Sequence, residues 1–131
     1  MNGLVAAALL AAAPVAPGGQ AFGECVACHA LEPGRNTPAG PTLHAIIGRP
    51  VAALPGFNYS PALRRFARGN PRWTAALLDR FLADPEAVVP GIEMGYAGMR
   101  DPGRRRALIA WLAVPRRSNQ PLFGPAPAVP P

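Results

Sequence analysis

The sequence predicts an all-α fold, and two patterns support this prediction. First, four dipeptides place a good N-cap residue directly before a proline, which is favoured at the first position of a helix. They are Ser60-Pro61, Asn70-Pro71, Asp84-Pro85 and Asp101-Pro102. Second, apolar residues recur at helical spacing after two of these pairs, in 71–83 and 102–113, and no segment shows the alternation of a half-buried strand. The length of 131 residues suggests a single small domain.

The helices can be placed in chain order, about five in all. A first helix runs from about Gly18 into the cysteine region. The four capping pairs then predict short helices at 61–67 and 85–89 and longer ones at 71–83 and 102–113. Residues 30–59 are rich in Gly and Pro and are predicted to be loop. Something other than secondary structure must therefore order that segment.

The two ends of the chain differ in composition from the middle. Residues 4–16 are almost wholly apolar, and thirteen residues are too few to cross a bilayer. We interpret residues 1–16 as a signal peptide or apolar leader, although no Lys or Arg precedes the run, and an additional N-terminal helix is the alternative. The last fifteen residues contain five prolines, so residues 116–131 are predicted to be a Pro-rich disordered tail. The folded domain is predicted to cover 17–115.

The segment Cys25-Val-Ala-Cys28-His29 indicates the chemistry. Cys-x-x-Cys-His is the attachment sequence of c-type haem, in which two thiols form thioethers with one porphyrin and the histidine ligates iron. A thioredoxin-like redox pair would need a βαβ context, and a zinc site would need four ligands. We therefore predict one haem c, attached through Cys25 and Cys28, with His29 bound to the iron. A haem edge would also order the 30–59 loop.

Three side chains are candidates for the sixth iron ligand. Met94 lies in an irregular Pro- and Gly-rich loop that could bring its thioether to the iron. Met99 lies near the start of the last helix, where core packing is the more ordinary role. His44 is the third candidate. With only His29 bound, the iron would keep an open position for gas or peroxide.

Several segments, in this order over about residues 18–114, resemble the class I c-type cytochromes, the soluble mitochondrial and bacterial cytochromes c. They are Gly18-x-x-x-Phe22, the Cys25–His29 motif, Gly40-Pro-Thr-Leu-His44, Gly48-Arg49, Pro55-Gly-Phe-Asn-Tyr59-Ser60, Trp73, Leu82-Ala-Asp-Pro85, Pro90-Gly91-x-x-Met94, Tyr96-Ala-Gly98 and Leu108-Ile-Ala-Trp111-Leu112. The resemblance implies one small domain of about five helices wrapped around a covalent haem.

The resemblance also implies roles for individual residues. His29 and Met94 would ligate iron, and the Pro41 carbonyl would accept a hydrogen bond from the His29 ring. Arg49, Tyr59 and Trp73 would hydrogen-bond or neutralise the buried propionates. In addition, Phe22 and Trp111 would pack where the first and last helices cross, with Gly18 allowing the close approach.

Four positions depart from the resemblance. Phe81, Leu63 and Ile92 stand where the family often has Tyr, Asn and Thr, three polar residues that commonly surround a buried water beside the methionine. A buried water needs two to four polar partners, so we predict a drier pocket here. The fourth departure is Glu93, where the family usually has Lys.

The charge favours a protein partner. The net charge is +6, and all 13 basic residues are Arg. These residues are dispersed, with few aromatics among them, so we expect redox protein complexes with acidic docking surfaces as partners and no nucleic acid. One dense cluster, Arg104 to Arg106, lies in the first turn of a predicted helix, where the macrodipole disfavours cations. A solvated face and a partner contact both remain open for it.

These observations predict a single-electron carrier that serves respiratory or other periplasmic redox complexes, with membrane association only through those partners. No catalytic constellation is evident, so we predict neither enzymatic activity nor a small-molecule substrate. Two alternatives remain. One is a dedicated haem subunit of a dehydrogenase or oxidase. The other is a gas-binding or peroxidatic haem protein with a labile sixth ligand.

Overall fold

The computed structural model describes residues 15–114, and this part of the chain is helical. Its helices are α1 Pro17–Phe22, α2 Pro61–Gly69, α3 Ala75–Ala83, α4 Pro85–Val88 and α5 Pro102–Ala113. Within that range the sole β-type pairing is a bridge between Pro50 and Arg72. The predicted all-α class with about five helices is therefore confirmed. The predicted leader and the Pro-rich tail fall almost entirely outside the described residues.

Three of the four predicted helix starts are confirmed. The Ser60 hydroxyl accepts from the Leu63 N–H at 3.2 Å, and the Asp84 carboxylate accepts from the Ala87 N–H at 3.1 Å. Asp101 accepts from both the Gly103 N–H at 2.7 Å and the Arg104 N–H at 3.2 Å. Each satisfies donors that the first turn of a helix leaves unpaired.

The predicted helix start at Asn70-Pro71 is wrong. Asn70 ends α2, and α3 begins at Ala75 with Thr74 as its N-cap. The cause is a tertiary contact, because the Trp73 N–H donates to the Arg49 carbonyl at 2.9 Å and the Gly48 N–H donates to the Trp73 carbonyl at 2.6 Å. These hydrogen bonds hold Trp73 in an extended connection that a helix could not provide.

Helices α1 and α5 pack closely against each other. Phe22 is fully buried, and its ring centroid lies 5.2 Å from that of Trp111. A side chain at Gly18 would overlap both the Trp111 Cβ and the Ala107 carbonyl oxygen. The predicted crossing of the first and last helices is therefore confirmed. Helix α5 also packs against α3, which packs against α4.

Side-chain hydrogen bonds order the 30–59 loop. Thr42 is 2% exposed, and its hydroxyl donates to the Glu32 carbonyl at 2.7 Å. Asn36 joins two distant parts of the loop, since it accepts from the Thr42 N–H at 3.0 Å and donates to the Pro55 carbonyl at 3.1 Å. Arg49 donates to the carbonyls of Thr42 and His44 at 2.7 and 3.0 Å. The loop therefore has a framework of its own along one side of the molecule.

No helix in residues 15–114 is long and apolar enough to cross a membrane.

Candidate haem-binding site

A cavity of about 370 Å³ lies between the Cys25–His29 segment, the 30–59 loop, the start of α2, the last turn of α3 and the loop before α5. All eight predicted site residues line it: Cys25, Cys28, His29, Pro41, Arg49, Tyr59, Trp73 and Met94. The first and the last of these residues are almost 70 positions apart, so folding brings the cysteine segment together with the residues that follow it in the chain.

The His29 ring is fixed on the cavity wall. Its Nδ1 lies 2.7 Å from the Pro41 carbonyl oxygen, and a carbonyl only accepts, so Nδ1–H is the donor and Nε2 keeps its lone pair. The ring also requires Gly40, because a Cβ there would lie 2.6 Å from the His29 Cε1. Burial is the main cause that lowers the pKa of His29, and the nearby Arg49 charge acts in the same direction. The neutral ring is the form that binds a metal.

The two cysteines follow α1 on a tightly turned segment. The Cys25 N–H donates to the Phe22 carbonyl at 2.8 Å, and the His29 N–H donates to the Cys25 carbonyl at 3.0 Å. Cys25 and Cys28 are not joined in a disulfide, so both sulfurs could form thioethers with a haem. Burial, then the negative charge of Glu24, then Cys28 raise the pKa of the Cys25 thiol to about 11. Thr37 secures the end of the segment, since its hydroxyl donates to the Cys28 carbonyl at 2.6 Å.

Arg49 brings an incompletely paired cation to the cavity. One terminal nitrogen is engaged with the loop carbonyls, but the Nε–H is buried without a hydrogen-bond partner. Burial lowers the pKa of Arg49, opposed by the interaction with Tyr59. A buried donor of this kind costs free energy unless a partner satisfies it. An anionic group such as a haem propionate would supply that partner, so the residues present fit the cofactor.

The loop from Val89 to Met99 places Met94 on the cavity. Gly91 has φ +85° and donates its N–H to the Glu86 carboxylate at 3.0 Å, while the Met99 N–H donates to the Leu82 carbonyl at 2.7 Å. Met94 is half-buried, whereas Met99 is 2% exposed and packs in the core away from the cavity. The core-packing role predicted for Met99 is therefore confirmed.

The three apolar departures, Leu63, Phe81 and Ile92, line the same cavity as Met94. Phe81 is buried, and its ring lies 5.0 Å from that of Trp73. His44 is elsewhere, on a second cavity with Leu31 and Trp111. Of the three candidates for the sixth ligand, Met94 alone lines the cavity that His29 lines.

Sequence reasoning missed a cluster at the cavity rim. The Tyr96 hydroxyl donates to Glu24 Oε1 at 3.1 Å, and Arg104 Nη2 lies 2.7 Å from Glu24 Oε2. Burial and the hydrogen bond to Glu24 raise the pKa of Tyr96 to about 12. The one signal in the sequence was an acidic residue directly before the first cysteine, in a chain with few acids.

The arginine cluster on α5 is partly committed to contacts within the molecule. Besides the Arg104 pair, Arg105 lies 2.9 Å from Asp79 and donates to the Met99 and Arg100 carbonyls at 2.9 Å. Arg106 is exposed. The cluster is therefore neither a plain solvated face nor a free patch of three cations.

One cavity thus combines the Cys-x-x-Cys-His turn, a neutral histidine and an arginine with an unpaired N–H. These features define a haem-binding protein of the c type. Comparison with known proteins agrees. The chain is 39% identical to cytochrome c-550 of Ancylobacter novellus over 97 residues, 74% of this chain and 91% of that one. It is 38% identical to cytochrome c2 of Rhodomicrobium vannielii over 109 residues, 83% of this chain and 84% of that one.

Among solved structures, cytochrome cH from Methylobacterium extorquens matches with a TM-score of 0.67 and 36% identity, covering 76% of this chain and 97% of that one. No protein-family model matches the chain. The protein belongs to the class I c-type cytochromes, and its cofactor is covalently bound haem c. The resemblance predicted from the sequence is confirmed.

Proposed function

We propose that this electron-transfer cytochrome is a single-electron carrier in which His29 and Met94 are the two axial ligands of one haem, attached through Cys25 and Cys28. The observation that carries the proposal is the hydrogen bond from His29 Nδ1 to the Pro41 carbonyl. It orients Nε2 as a ligand in the cavity that Met94 also lines. When bound, the haem supplies a reversible one-electron couple, and a thioether ligand raises its potential.

In this proposal, the protein binds the haem and adjusts its reduction potential. The Pro41 carbonyl fixes the tautomer of the His29 ring, and Gly40 leaves the space that the ring occupies. Arg49, with its buried Nε–H, would pair with a propionate, next to Tyr59 and Trp73. Leu63, Phe81 and Ile92 keep polar groups away from the Met94 side. Two axial ligands that stay bound in both redox states would leave little to rearrange, which favours rapid electron transfer.

We further propose that the partner is an acidic redox protein and that α2 carries the docking charge. Arg64, Arg65 and Arg68 are exposed, and α2 bears no acidic residue. At about 100° per residue the three lie within roughly a 100° arc of the helix. Arg64 and Arg68 repel one another across one turn, and no ion pair within residues 15–114 involves α2. A complementary negative surface would be attracted to this face.

The location of the protein follows from the same proposal. We place it in the periplasm, outside the cytoplasm, with membrane contact only through its partners. The apolar leader predicted for residues 1–16 supports export. Localisation of a full-length tagged chain by cell fractionation tests this, and recovery of haem-loaded protein from the cytoplasmic fraction would contradict it.

Two measurements on purified holo-protein test electron transfer and docking. A potentiometric titration should follow a one-electron curve, and the ferrous protein should not bind carbon monoxide. Carbon monoxide binding by the unmodified protein would instead favour the gas-binding alternative.

The docking proposal is tested by adsorption to a carboxylate-terminated electrode. Adsorption should be lost in the triple variant Arg64→Gln/Arg65→Gln/Arg68→Gln and retained in the control Arg106→Gln. Equal adsorption of both variants would contradict the assignment of α2.

A further inference from the structure

The rim cluster of Glu24, Tyr96 and Arg104 connects three separate parts of the chain. Glu24 directly precedes the haem-attachment cysteine, Tyr96 lies two residues after Met94, and Arg104 is in the first turn of α5. Glu24 uses one carboxylate oxygen for each partner, Oε1 for the Tyr96 hydroxyl at 3.1 Å and Oε2 for Arg104 at 2.7 Å. Because Glu24 and Tyr96 both line the cavity, their hydrogen bond joins the haem-attachment segment to the loop that carries Met94.

Hydrogen bonds hold both ends of the loop that carries Met94, but few of them hold its centre. Gly91 and Met99 are tied to α4 and α3 by the hydrogen bonds to Glu86 and Leu82. Between them, residues 93–97 make one hydrogen bond to the remainder of the described chain, and it is the one from Tyr96 to Glu24. This hydrogen bond is therefore the polar contact that holds the centre of the loop, in addition to the packing of Met94 and Tyr96 against the core.

Arg104 holds the acceptor in place. The start of a helix disfavours a cation, and the pair with Glu24 offsets that cost while it restricts the carboxylate to an orientation that presents Oε1 to Tyr96. Glu24 and Arg104 are 38% and 49% exposed, so their pair adds little to global stability. The ion pair between Glu24 and Arg104 therefore acts locally, by holding the Met94 loop in position.

We propose that Glu24, Tyr96 and Arg104 form a latch that keeps the Met94 loop closed over the cavity and sets how readily an external ligand displaces the sixth ligand of the iron. These are positioning residues, since none of them ligates the metal. The inference rests on the proposed ligation by Met94 and adds to it the contact that holds the loop.

The test uses imidazole as the external ligand for the ferric holo-protein. Tyr96→Phe keeps the ring and removes the hydroxyl, so the loop should open more often. The apparent imidazole affinity should rise by roughly three- to tenfold, which is the net effect of one ordinary hydrogen bond, because the Glu24 acceptor is partly exposed to water. Denaturant unfolding of the same variant should change far less than a core substitution would. Arg106→Gln, an exposed arginine two positions from Arg104, is the matched control and should bind imidazole as the unmodified protein does.

Two further variants separate the parts of the latch. Glu24→Gln keeps an acceptor for the Tyr96 hydroxyl but removes the ion pair, so its effect should be smaller than that of Tyr96→Phe. The double variant Tyr96→Phe/Glu24→Gln should exceed Tyr96→Phe by less than the effect of Glu24→Gln alone, because both act through one contact. Fully additive effects would contradict the shared contact.

The outcomes distinguish the latch from the ligation on which it rests. If the unmodified ferric protein lacks the far-red absorption band that marks iron–methionine ligation in this family, the proposed ligation fails and the latch fails with it. If the band is present and Tyr96→Phe binds imidazole with unchanged affinity and rate, the latch alone is overturned.

Discussion

At the residue scale, the wall of the cavity is less polar than the resemblance to the c-type cytochromes implies. Phe81, Leu63 and Ile92 all contribute apolar surface to the cavity that Met94 lines. Phe81 is 6% exposed, and its ring packs against that of Trp73. Leu63 and Ile92 carry no hydrogen-bonding atom in their side chains, so a hydroxyl added to Phe81 is expected to lack a partner on this part of the wall.

Phe81→Tyr should lower the free energy of unfolding of the holo-protein by about 1–3 kcal/mol, because the new hydroxyl would be buried without a partner. Denaturant unfolding followed by circular dichroism measures the change. Unaltered stability would show that the hydroxyl finds a partner. An ordered water among Phe81, Leu63 and Ile92 in a high-resolution structure of the unmodified protein would equally contradict the dry pocket.

At the element scale, the crossing of α1 and α5 depends on one position. The backbone of α1 at Gly18 lies directly against Trp111 and Ala107 of α5, with no room for a Cβ. The two helices come from opposite ends of the described chain, so their contact closes the domain around the cavity. The short α1 then continues into the turn that carries Cys25 and His29.

Gly18→Ala should destabilise the protein by about 1–3 kcal/mol, since the helices must separate to admit the methyl group. Gly69→Ala is the matched control, because Gly69 ends α2 and a Cβ there would meet nothing within 4 Å. That control should be neutral or stabilising by up to about 1 kcal/mol through helix propensity. Thermal unfolding of both variants decides the matter, and equal midpoints would refute the close-approach argument.

The elements also show how far the sequence could predict the structure. Ser60, Asp84 and Asp101 were recognisable as caps because a cap is a local device. Asn70 was not distinguishable from them, because the hydrogen bonds that hold Trp73 extended come from a loop more than 20 residues earlier. The framework of the 30–59 loop escaped prediction for the same reason, since Asn36 and Thr42 reach partners that only the fold brings near.

The cavity-lining residues were predictable because they are carried by motifs that resemble a known family. The rim cluster was not, because Glu24 and Tyr96 are 72 positions apart and neither position is distinctive by itself. Motifs therefore identify the residues that a cofactor requires. Contacts that are particular to this chain, such as the one between Glu24 and Tyr96, become visible only in the structure.

At the scale of the whole molecule, the composition restricts which groups can reach the iron. The sequence has 13 basic residues and no lysine, and Glu93 precedes Met94. The resemblance to the c-type cytochromes implies that a lysine near the methionine could displace it once that lysine loses its proton at high pH. Arginine cannot replace it, because the guanidinium stays protonated. His44 lies on a different cavity and would need extensive unfolding to reach the iron.

Methionine ligation should therefore persist to higher pH here than in relatives with lysine, and any alkaline form should be hydroxide-bound or partly unfolded. A pH titration of the ferric holo-protein, followed by a spectroscopy that distinguishes nitrogen from oxygen ligands, measures this. A well-folded alkaline form with a nitrogen ligand at moderate pH would contradict the expectation.

The central claim is that His29 and Met94 hold the iron of a one-electron carrier. The most direct test replaces Met94 and Met99 by alanine, one at a time. Absorption spectra and carbon monoxide binding of Met94→Ala and Met99→Ala holo-proteins are the measurement. Met94→Ala should lose the iron–methionine band and bind carbon monoxide when reduced, because its sixth position is open. Met99→Ala should keep the band, exclude carbon monoxide and lose only stability, by about 2–5 kcal/mol for a buried methionine. Loss of the band in Met99→Ala with its retention in Met94→Ala would contradict the account.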